Sequence, residues 1–156
     1  MASSLLIKSY NVNSIGKNPK RSEIFRFLRK KGGDVQILLD TRFSKEIEPK
    51  VKEEWGAQVY FSSFSSQSRG VAIFLKNNLP VEILKEKSDE SGNILSLLFK
   101  YDDETILLTG IYGPNEDNPA FYKNKIFHLI DEWQTSFTVY SGDWNLVLDK
   151  DLQKRT

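Results

Sequence analysis

The sequence predicts a single-domain α/β protein with a layered sheet and helices packed on it. Three features support this class: short apolar runs of strand length, two segments with helical periodicity, and the alternation of the two along the chain. The 156 residues are 39% hydrophobic and 12% aromatic, which suffices for one core-forming domain over residues 1–156 and excludes intrinsic disorder. A charged fraction of 28% predicts no membrane span.

The chain begins with a predicted strand and a predicted helix. Residues 5–10 form the strand, and Asn18 before Pro19 is typical of a helix start. Gly32-Gly33 supplies the helix end. The apolar residues of this helix recur at helical spacing on one side; they are Ile24, Phe25, Phe27 and Leu28.

The next elements are a strand, a weaker helix and two further strands. The apolar run 35–39 is too short for a helix and indicates a strand covered on both faces, with Asp40 at its carboxyl end. A helix is predicted over residues 48–55. Residues 59–61 and 71–75 read as strands joined by a serine-rich loop.

The last elements are a hairpin, a helix and a strand. Residues 94–101 and 105–112 flank the acidic turn Asp102-Asp103, which predicts an antiparallel hairpin. A second helix opens at Pro119, and residues 137–141 read as the final strand. The apolar stripe of this second helix consists of Tyr122, Ile126, Leu129, Ile130 and Trp133.

Charge and cysteine content exclude several classes of protein. With 22 basic and 21 acidic residues, no global field would gather nucleic acid or anionic lipid, so any polyanion must be bound locally. The chain has no Cys and therefore no disulfide and no thiolate metal site. Residues 5–7 are an apolar run too short for a signal peptide, so we expect an intracellular protein, nuclear or cytoplasmic.

Polar side chains gather where four predicted strands end. They are Asn11, Asp40, Tyr112, Asp143 and Asn145. In layered α/β proteins, ligands commonly bind beyond strand ends, where loops on a rigid sheet converge. Carboxylates and amides without Cys or a nearby His favour Mg²⁺ or Mn²⁺ over zinc. Taken singly, each of these residues is more often a solvated turn or cap residue.

Five ordered motifs carry a resemblance to a known family. They are Asn11-Val12-Asn13, Ile37-Leu38-Leu39-Asp40-Thr41, Ser68-Arg69-Gly70-Val71-Ala72-Ile73, Ile111-Tyr112-Gly113-Pro114-Asn115 and Ser141-Gly142-Asp143-Trp144-Asn145-Leu146. In order and spacing the chain resembles the endonuclease/exonuclease/phosphatase family, which has a DNase I-like layered α/β sandwich. Within that family it is similar to the apurinic-type endonuclease domain of non-LTR (LINE-type) retrotransposons.

The resemblance implies a catalytic role for each strand-end residue. Asp40 would bind Mg²⁺ or Mn²⁺ with Asn11 holding and orienting it, and Tyr112 would contact the scissile phosphate. Asp143 would align or deprotonate the attacking water, with Asn145 fixing the phosphate beside it. Arg69 and Asn115 would be the substrate-binding residues. For Arg69, the simpler interpretation is an exposed loop arginine that contacts no substrate.

The implied partner is DNA, with no small-molecule cofactor, and the oligomeric state is left open. The implied reaction is metal-dependent phosphodiester hydrolysis that nicks one strand and leaves a 3′-hydroxyl for a reverse transcriptase. A basic helix face offers a further DNA contact, although a solvated face is the commoner reading of such a charge run. That face consists of Lys20, Arg21, Arg26, Arg29, Lys30 and Lys31.

Two departures from the family pattern weaken the enzymatic reading. The family has Glu where this chain has Asp40, which draws the carboxylate back by roughly 1.5 Å. The family also continues into a terminal Ser-Asp-His segment, so we expect a truncated amino-terminal part of the fold, with its carboxyl-terminal portion missing and weak or absent activity. His128 lies in the predicted second helix and is not expected to replace the family histidine.

Two alternatives remain open beside the endonuclease. One is a non-catalytic retroelement remnant that keeps residual DNA binding. The other is a phosphatase of the same fold, because phosphatases for inositol lipids share this core.

Overall fold

A computed structural model describes residues 4–113, 120, 135 and 137–143 of the chain, Asp143 by its backbone alone. In this part, the chain forms eight strands and two α-helices. They are β1 (Ile7–Asn11), α1 (Lys20–Lys31), β2 (Val35–Leu39), α2 (Glu48–Trp55), β3 (Val59–Ser62), β4 (Val71–Leu75), β5 (Glu82–Ser88), β6 (Ile94–Tyr101), β7 (Glu104–Tyr112) and β8 (Phe137–Asp143). A 3₁₀ turn, Lys45–Ile47, leads into α2.

The strands form two four-stranded sheets, with the orders β1-β2-β4-β3 and β5-β6-β7-β8. Each sheet is mixed: β1 runs parallel to β2 and β7 runs parallel to β8, while the other neighbours are antiparallel. The predicted hairpin is confirmed, since β6 pairs antiparallel with β7 across the Asp102-Asp103 turn.

The main core lies between the two sheets. One face of β2 and β4, including Ile37 and Val71, packs against the inward residues of β6 and β7, such as Leu95 and Leu108. Gly110 on β7 lets the sheets approach closely, because a Cβ there would lie 2.8 Å from the Ile37 Cγ2 atom and 3.0 Å from Val71 Cγ1. This close approach brings the ends of β2, β4 and β7 together.

A second core lies between the first sheet and the helices. Leu38 and Phe74, on the opposite face of β2 and β4, pack with Phe25 and Leu28 of α1 and Val51 of α2. Both faces of β2 are therefore covered, as predicted, and all five of its residues are buried, including the polar Gln36.

Helix α1 differs from the predicted pattern in three places. It begins at Lys20, and the Asn18 side chain accepts a hydrogen bond from the Ser22 backbone N–H at 3.1 Å. Phe27, expected in the apolar stripe, is 40% exposed and its ring meets Tyr10 edge-on. The assignment of Arg21 to the basic, solvent-facing side is wrong: Arg21 is 3% exposed, because it forms an ion pair with Glu54 on α2.

Strand β5 is missing from the sequence prediction. It is an edge strand whose side chains are mostly exposed and alternate little in polarity, so it lacks the apolar signal of the other strands. The predicted helix opening at Pro119, with His128, lies outside the described residues. No helix in the described part of the chain is long and apolar enough to cross a membrane.

Candidate active site at the strand ends

The ends of β1 and β2 are joined by backbone hydrogen bonds beyond their last paired residues. Ser14 N–H donates to the Asp40 carbonyl at 2.8 Å, and Ile15 N–H donates to the Thr41 carbonyl at 3.0 Å. The loop after β1 therefore continues the parallel pairing of the two strands. This fixes the backbone of the Asn11 and Asp40 loops side by side.

The same network continues into β4 and toward the second sheet. Arg42 N–H donates to the Arg69 carbonyl at 2.8 Å, and Gly70 N–H donates to the Gly92 carbonyl at 3.0 Å. Gly70 and Gly92 both have positive φ, and a Cβ on Gly92 would lie 2.8 Å from Gly70 N. Only glycine fits this close crossing of two loops.

The loop before β6 connects the network to the end of β7. Tyr112 N–H donates to the Asn93 carbonyl at 2.7 Å, and the Asn93 side-chain amide donates back to the Tyr112 carbonyl at 2.7 Å. In the register of β7 and β8, Tyr112 stands beside Asp143. One continuous set of backbone contacts thus joins the ends of both sheets.

The structure brings four of the predicted site residues to the end of the two sheets where β1, β2 and β7 finish, which we call the strand-end edge. Asn11, Asp40, Arg69 and Tyr112 lie on loops or strand ends that the network links directly, and the Asp143 backbone lies at the same end. The remaining predicted residues, Asn115 and Asn145, lie outside the described residues, as does the side chain of Asp143.

Asp40 is held in a bidentate ion pair with Arg42. Its carboxylate oxygens accept hydrogen bonds from Arg42 Nε and Nη2, each at 3.0 Å. Asp40 is 5% exposed, and both residues have positive φ, 58° and 54°. Hydrogen bonding to Asp40, and then its negative charge, raise the pKa of Arg42 above its ordinary value against the effect of burial; nearby Tyr112 adds to the rise.

The Asn11 side chain is engaged within its own loop. Its exposed carboxamide oxygen accepts a hydrogen bond from Asn13 N–H at 3.0 Å, which forms an Asx turn. The turn carries the chain into Asn13 and Ser14, which have φ of 48° and 72°. Asn11 therefore stabilises the loop that pairs with Asp40, consistent with an orienting role.

Within the described residues, this arrangement does not fit a divalent ion. Magnesium needs near-octahedral geometry with oxygen ligands at about 2.0–2.1 Å. The two proposed ligands, Asp40 and Asn11, already accept hydrogen bonds from Arg42 and Asn13. The described ranges contain no cluster of three or more His, Cys, Asp or Glu residues that would hold a metal. A cation at Asp40 would first have to displace the guanidinium.

Sequence analysis missed two residues that shape this edge. Arg42 stands two positions after Asp40, a spacing that signals little because the pairing depends on left-handed backbone conformations that the sequence does not reveal. Asn93 is 7% exposed and joins two loops; its only sequence signal is the position just before β6.

An open pocket of about 590 Å³ lies beside Arg42. Lys17, Lys20 and Arg42 line it together with neutral polar residues including Asn13 and Gln67, and its described lining includes no carboxylate. Lys20 Nζ is also anchored to the Asn13 carbonyl at 2.6 Å. A pocket with three cations favours an anion such as a phosphate.

Arg69 lies at the rim of this edge with an exposed side chain. Its guanidinium carbon is 4.4 Å from the centre of the Phe64 ring, and Phe64 is 49% exposed. An exposed aromatic ring beside an arginine is a surface that stacks well on an unpaired base. The arrangement is compatible with the substrate-contact role predicted for Arg69.

Comparison with solved structures identifies the fold. D. rerio TDP2 complexed with a single-stranded DNA product superposes with a TM-score of 0.67 at 17% identity, over 96% of this chain and 64% of that one. The endonuclease domain of TRAS1, a telomere-specific non-LTR retrotransposon, gives 0.63 at 13% identity, over 90% and 60%. An AP endonuclease from Archaeoglobus fulgidus gives 0.63 at 22% identity, over 94% and 60%. No family model matches the sequence.

The chain therefore has the DNase I-like fold of the endonuclease/exonuclease/phosphatase class, as its motifs predicted. It spans 60–64% of the length of these three proteins.

Proposed function

We propose that this chain binds DNA at the strand-end edge and contributes to hydrolysis of a phosphodiester there. The observation that carries the proposal is the hydrogen-bond network that joins the loops of Asn11, Asp40 and Arg69 to the end of β7 at Tyr112. Loops held rigidly on a sheet position functional groups with the accuracy that catalysis requires.

Each residue of the edge then has a role in the proposed reaction. Tyr112 and Asn145 bind the non-bridging oxygens of the phosphate, and Arg42 offsets the negative charge that grows on them in the transition state. Asp143 takes the proton of the attacking water. Asn11 keeps its loop in register with Asp40, which in turn fixes the guanidinium of Arg42.

DNA is the proposed substrate for two reasons. The pocket beside Arg42 is lined by Lys17 and Lys20, and phosphate contacts from lysine and arginine supply most of the affinity in protein–DNA complexes. Among proteins of the same fold, D. rerio TDP2 is complexed with single-stranded DNA and TRAS1 has an endonuclease domain.

A second candidate function is DNA binding without hydrolysis. The observation in its favour is that the Asp40 carboxylate is occupied by Arg42, whereas the resemblance implies Mg²⁺ or Mn²⁺ at that carboxylate. A site that keeps phosphate affinity but cannot load the ion would behave as a remnant of a nuclease.

A plasmid-nicking assay separates the two functions. Purified chain is incubated with supercoiled DNA in Mg²⁺, in Mn²⁺ and in EDTA, beside Asp143→Ala and the control Asp103→Ala in the exposed β6–β7 turn. The proposed hydrolysis predicts slow nicking that falls about 100-fold or more in Asp143→Ala and is unchanged in the control. Folded protein that shifts DNA in a gel but never nicks it contradicts hydrolysis and supports the second candidate.

A further inference from the structure

The Asp40–Arg42 pair is asymmetric in its exposure to solvent. The side chain of Asp40 is 7% exposed and that of Arg42 is 34% exposed. The carboxylate therefore faces the protein, and the guanidinium separates it from the solvent. Anything that approaches Asp40 from the pocket meets Arg42 first, because Arg42 lines that pocket.

The guanidinium keeps donors available for a ligand. Arginine has five N–H groups, and here only Nε and Nη2 donate to Asp40. Within the described residues, Nη1 has no hydrogen-bond acceptor on the protein. A planar guanidinium with donors on its open edge matches the oxygens of a phosphate.

The charges around the pair favour an anion on the outer side. Lys17 and Lys20 line the same pocket as Arg42. Tyr112, the residue predicted to contact the phosphate, lies at the same end of the two sheets, where the Asn93 loop holds it. Among the described side chains, the inner side carries the carboxylate of Asp40, which is matched by the positive charge of Arg42.

We propose that Arg42 stands in the place of a divalent ion: it neutralises the buried carboxylate of Asp40 and presents its free N–H groups to a phosphate in the pocket. The site therefore binds phosphate without a metal ion and binds a divalent ion poorly. This inference rests on the proposed function for the position of the phosphate, and it replaces the metal that the resemblance implies with a residue of this chain.

The proposal predicts opposite effects of one substitution on two ligands. In Arg42→Gln the carboxylate loses its guanidinium and the pocket loses a cation. Removal of the guanidinium takes a positive charge away from the Asp40 carboxylate, and charges this close interact strongly even at the effective dielectric of a protein surface. Mn²⁺ should therefore bind to the variant at least about tenfold more tightly than to the wild type. Inorganic phosphate, titrated in EDTA, should bind at least about fivefold more weakly.

Both affinities are measurable without turnover, so a failure of hydrolysis leaves this test intact. Loss of the free-Mn²⁺ electron paramagnetic resonance signal gives the metal affinity, and calorimetry gives the phosphate affinity. Arg69→Gln removes the same charge from the neighbouring loop and should leave Mn²⁺ affinity within about twofold, because its guanidinium lies over Phe64 rather than on a carboxylate.

Two further variants locate the effect. Asp40→Asn in the Arg42→Gln background should abolish the gain in Mn²⁺ affinity, and Arg42→Lys, which keeps the charge without the bidentate fork, should give a smaller gain. Equal Mn²⁺ affinity in wild type and Arg42→Gln overturns the proposal. So does a gain that survives Asp40→Asn, or phosphate binding in the wild type that requires Mn²⁺.

Discussion

Two arginine–carboxylate pairs with the same fork geometry play opposite parts in this molecule. Arg21 donates from Nε and Nη2 to Glu54 at 2.9 Å, much as Arg42 donates to Asp40 at 3.0 Å. In the first pair the arginine is buried and the carboxylate is 23% exposed; in the second the arginine is 34% exposed and the carboxylate is buried.

The two pairs differ in the surroundings of the arginine N–H groups that do not bind the carboxylate. Arg21 uses Nη1 to donate to the Gly16 carbonyl at 2.7 Å, so the protein itself satisfies it, and the pair joins α1 to α2. Arg42 lines an open pocket, and the only hydrogen bonds of its guanidinium to described residues go to Asp40. Similar geometry therefore produces a structural clamp in one place and a ligand-binding group in the other.

The largest effect is expected from breaking the clamp. Glu54→Ala leaves the guanidinium of Arg21 buried without its counter-charge, and we expect a loss of about 3 kcal/mol in the free energy of unfolding. Urea denaturation followed by circular dichroism measures it. Glu53→Ala, at the exposed neighbouring position, is the control and should change stability by less than about 0.5 kcal/mol. If Glu54→Ala lowers the free energy of unfolding no more than Glu53→Ala does, the Arg21–Glu54 pair does not stabilise the contact between α1 and α2.

A smaller loss is expected from breaking the second pair. Arg42→Gln leaves Asp40 without its guanidinium at the rim of the sheet, and we expect a smaller loss in the free energy of unfolding than in Glu54→Ala, because Arg42 is more exposed than Arg21. Here, unlike at Glu54, a ligand should restore the stability: millimolar Mn²⁺ should raise the melting temperature of Arg42→Gln but not that of Glu54→Ala. Differential scanning calorimetry with and without Mn²⁺ tests this, and the same shift in both variants would contradict the distinction.

The smallest effect is on the pH dependence of stability. Hydrogen bonding to Arg21, and then its charge, lower the pKa of Glu54 below its ordinary value of 4.5. A carboxylate with a lowered folded-state pKa contributes stability above its unfolded-state pKa, and this contribution is lost as the pH falls through the folded-state value. The stability difference between wild type and Glu54→Gln should therefore be constant at neutral pH and shrink below about pH 4.5. A difference that stays constant into acid would contradict the shift.

Most of the fold could be predicted from the sequence because most of its strands and helices have clear local patterns of apolar residues. Strand β2, the helix Glu48–Trp55 and the β6–β7 hairpin were all predicted, and each depends on a pattern of residues that are close together in the sequence. Strand β5 was missed because it is an exposed edge strand whose partner, β6, supplies the apolar residues of the pair.

The candidate site was only partly readable. The strand-end position of Asn11, Asp40 and Tyr112 follows from the sequence order of strands and polar residues. The partners of Arg21 and Arg42 do not: Glu54 lies 33 positions from Arg21. The Arg42 pairing needs left-handed backbone at both Asp40 and Arg42, and neither residue type by itself predicts that conformation.

The proposed DNA-binding surface is the strand-end edge. Titrating ¹⁵N-labelled chain with a short duplex oligonucleotide, while recording amide chemical shifts, tests this proposal directly and needs neither a metal ion nor turnover. We predict shifts at Asn13, Arg42, Arg69 and Tyr112. Shifts confined to the opposite end of the sheets, around Gly33 and Lys76, would contradict it.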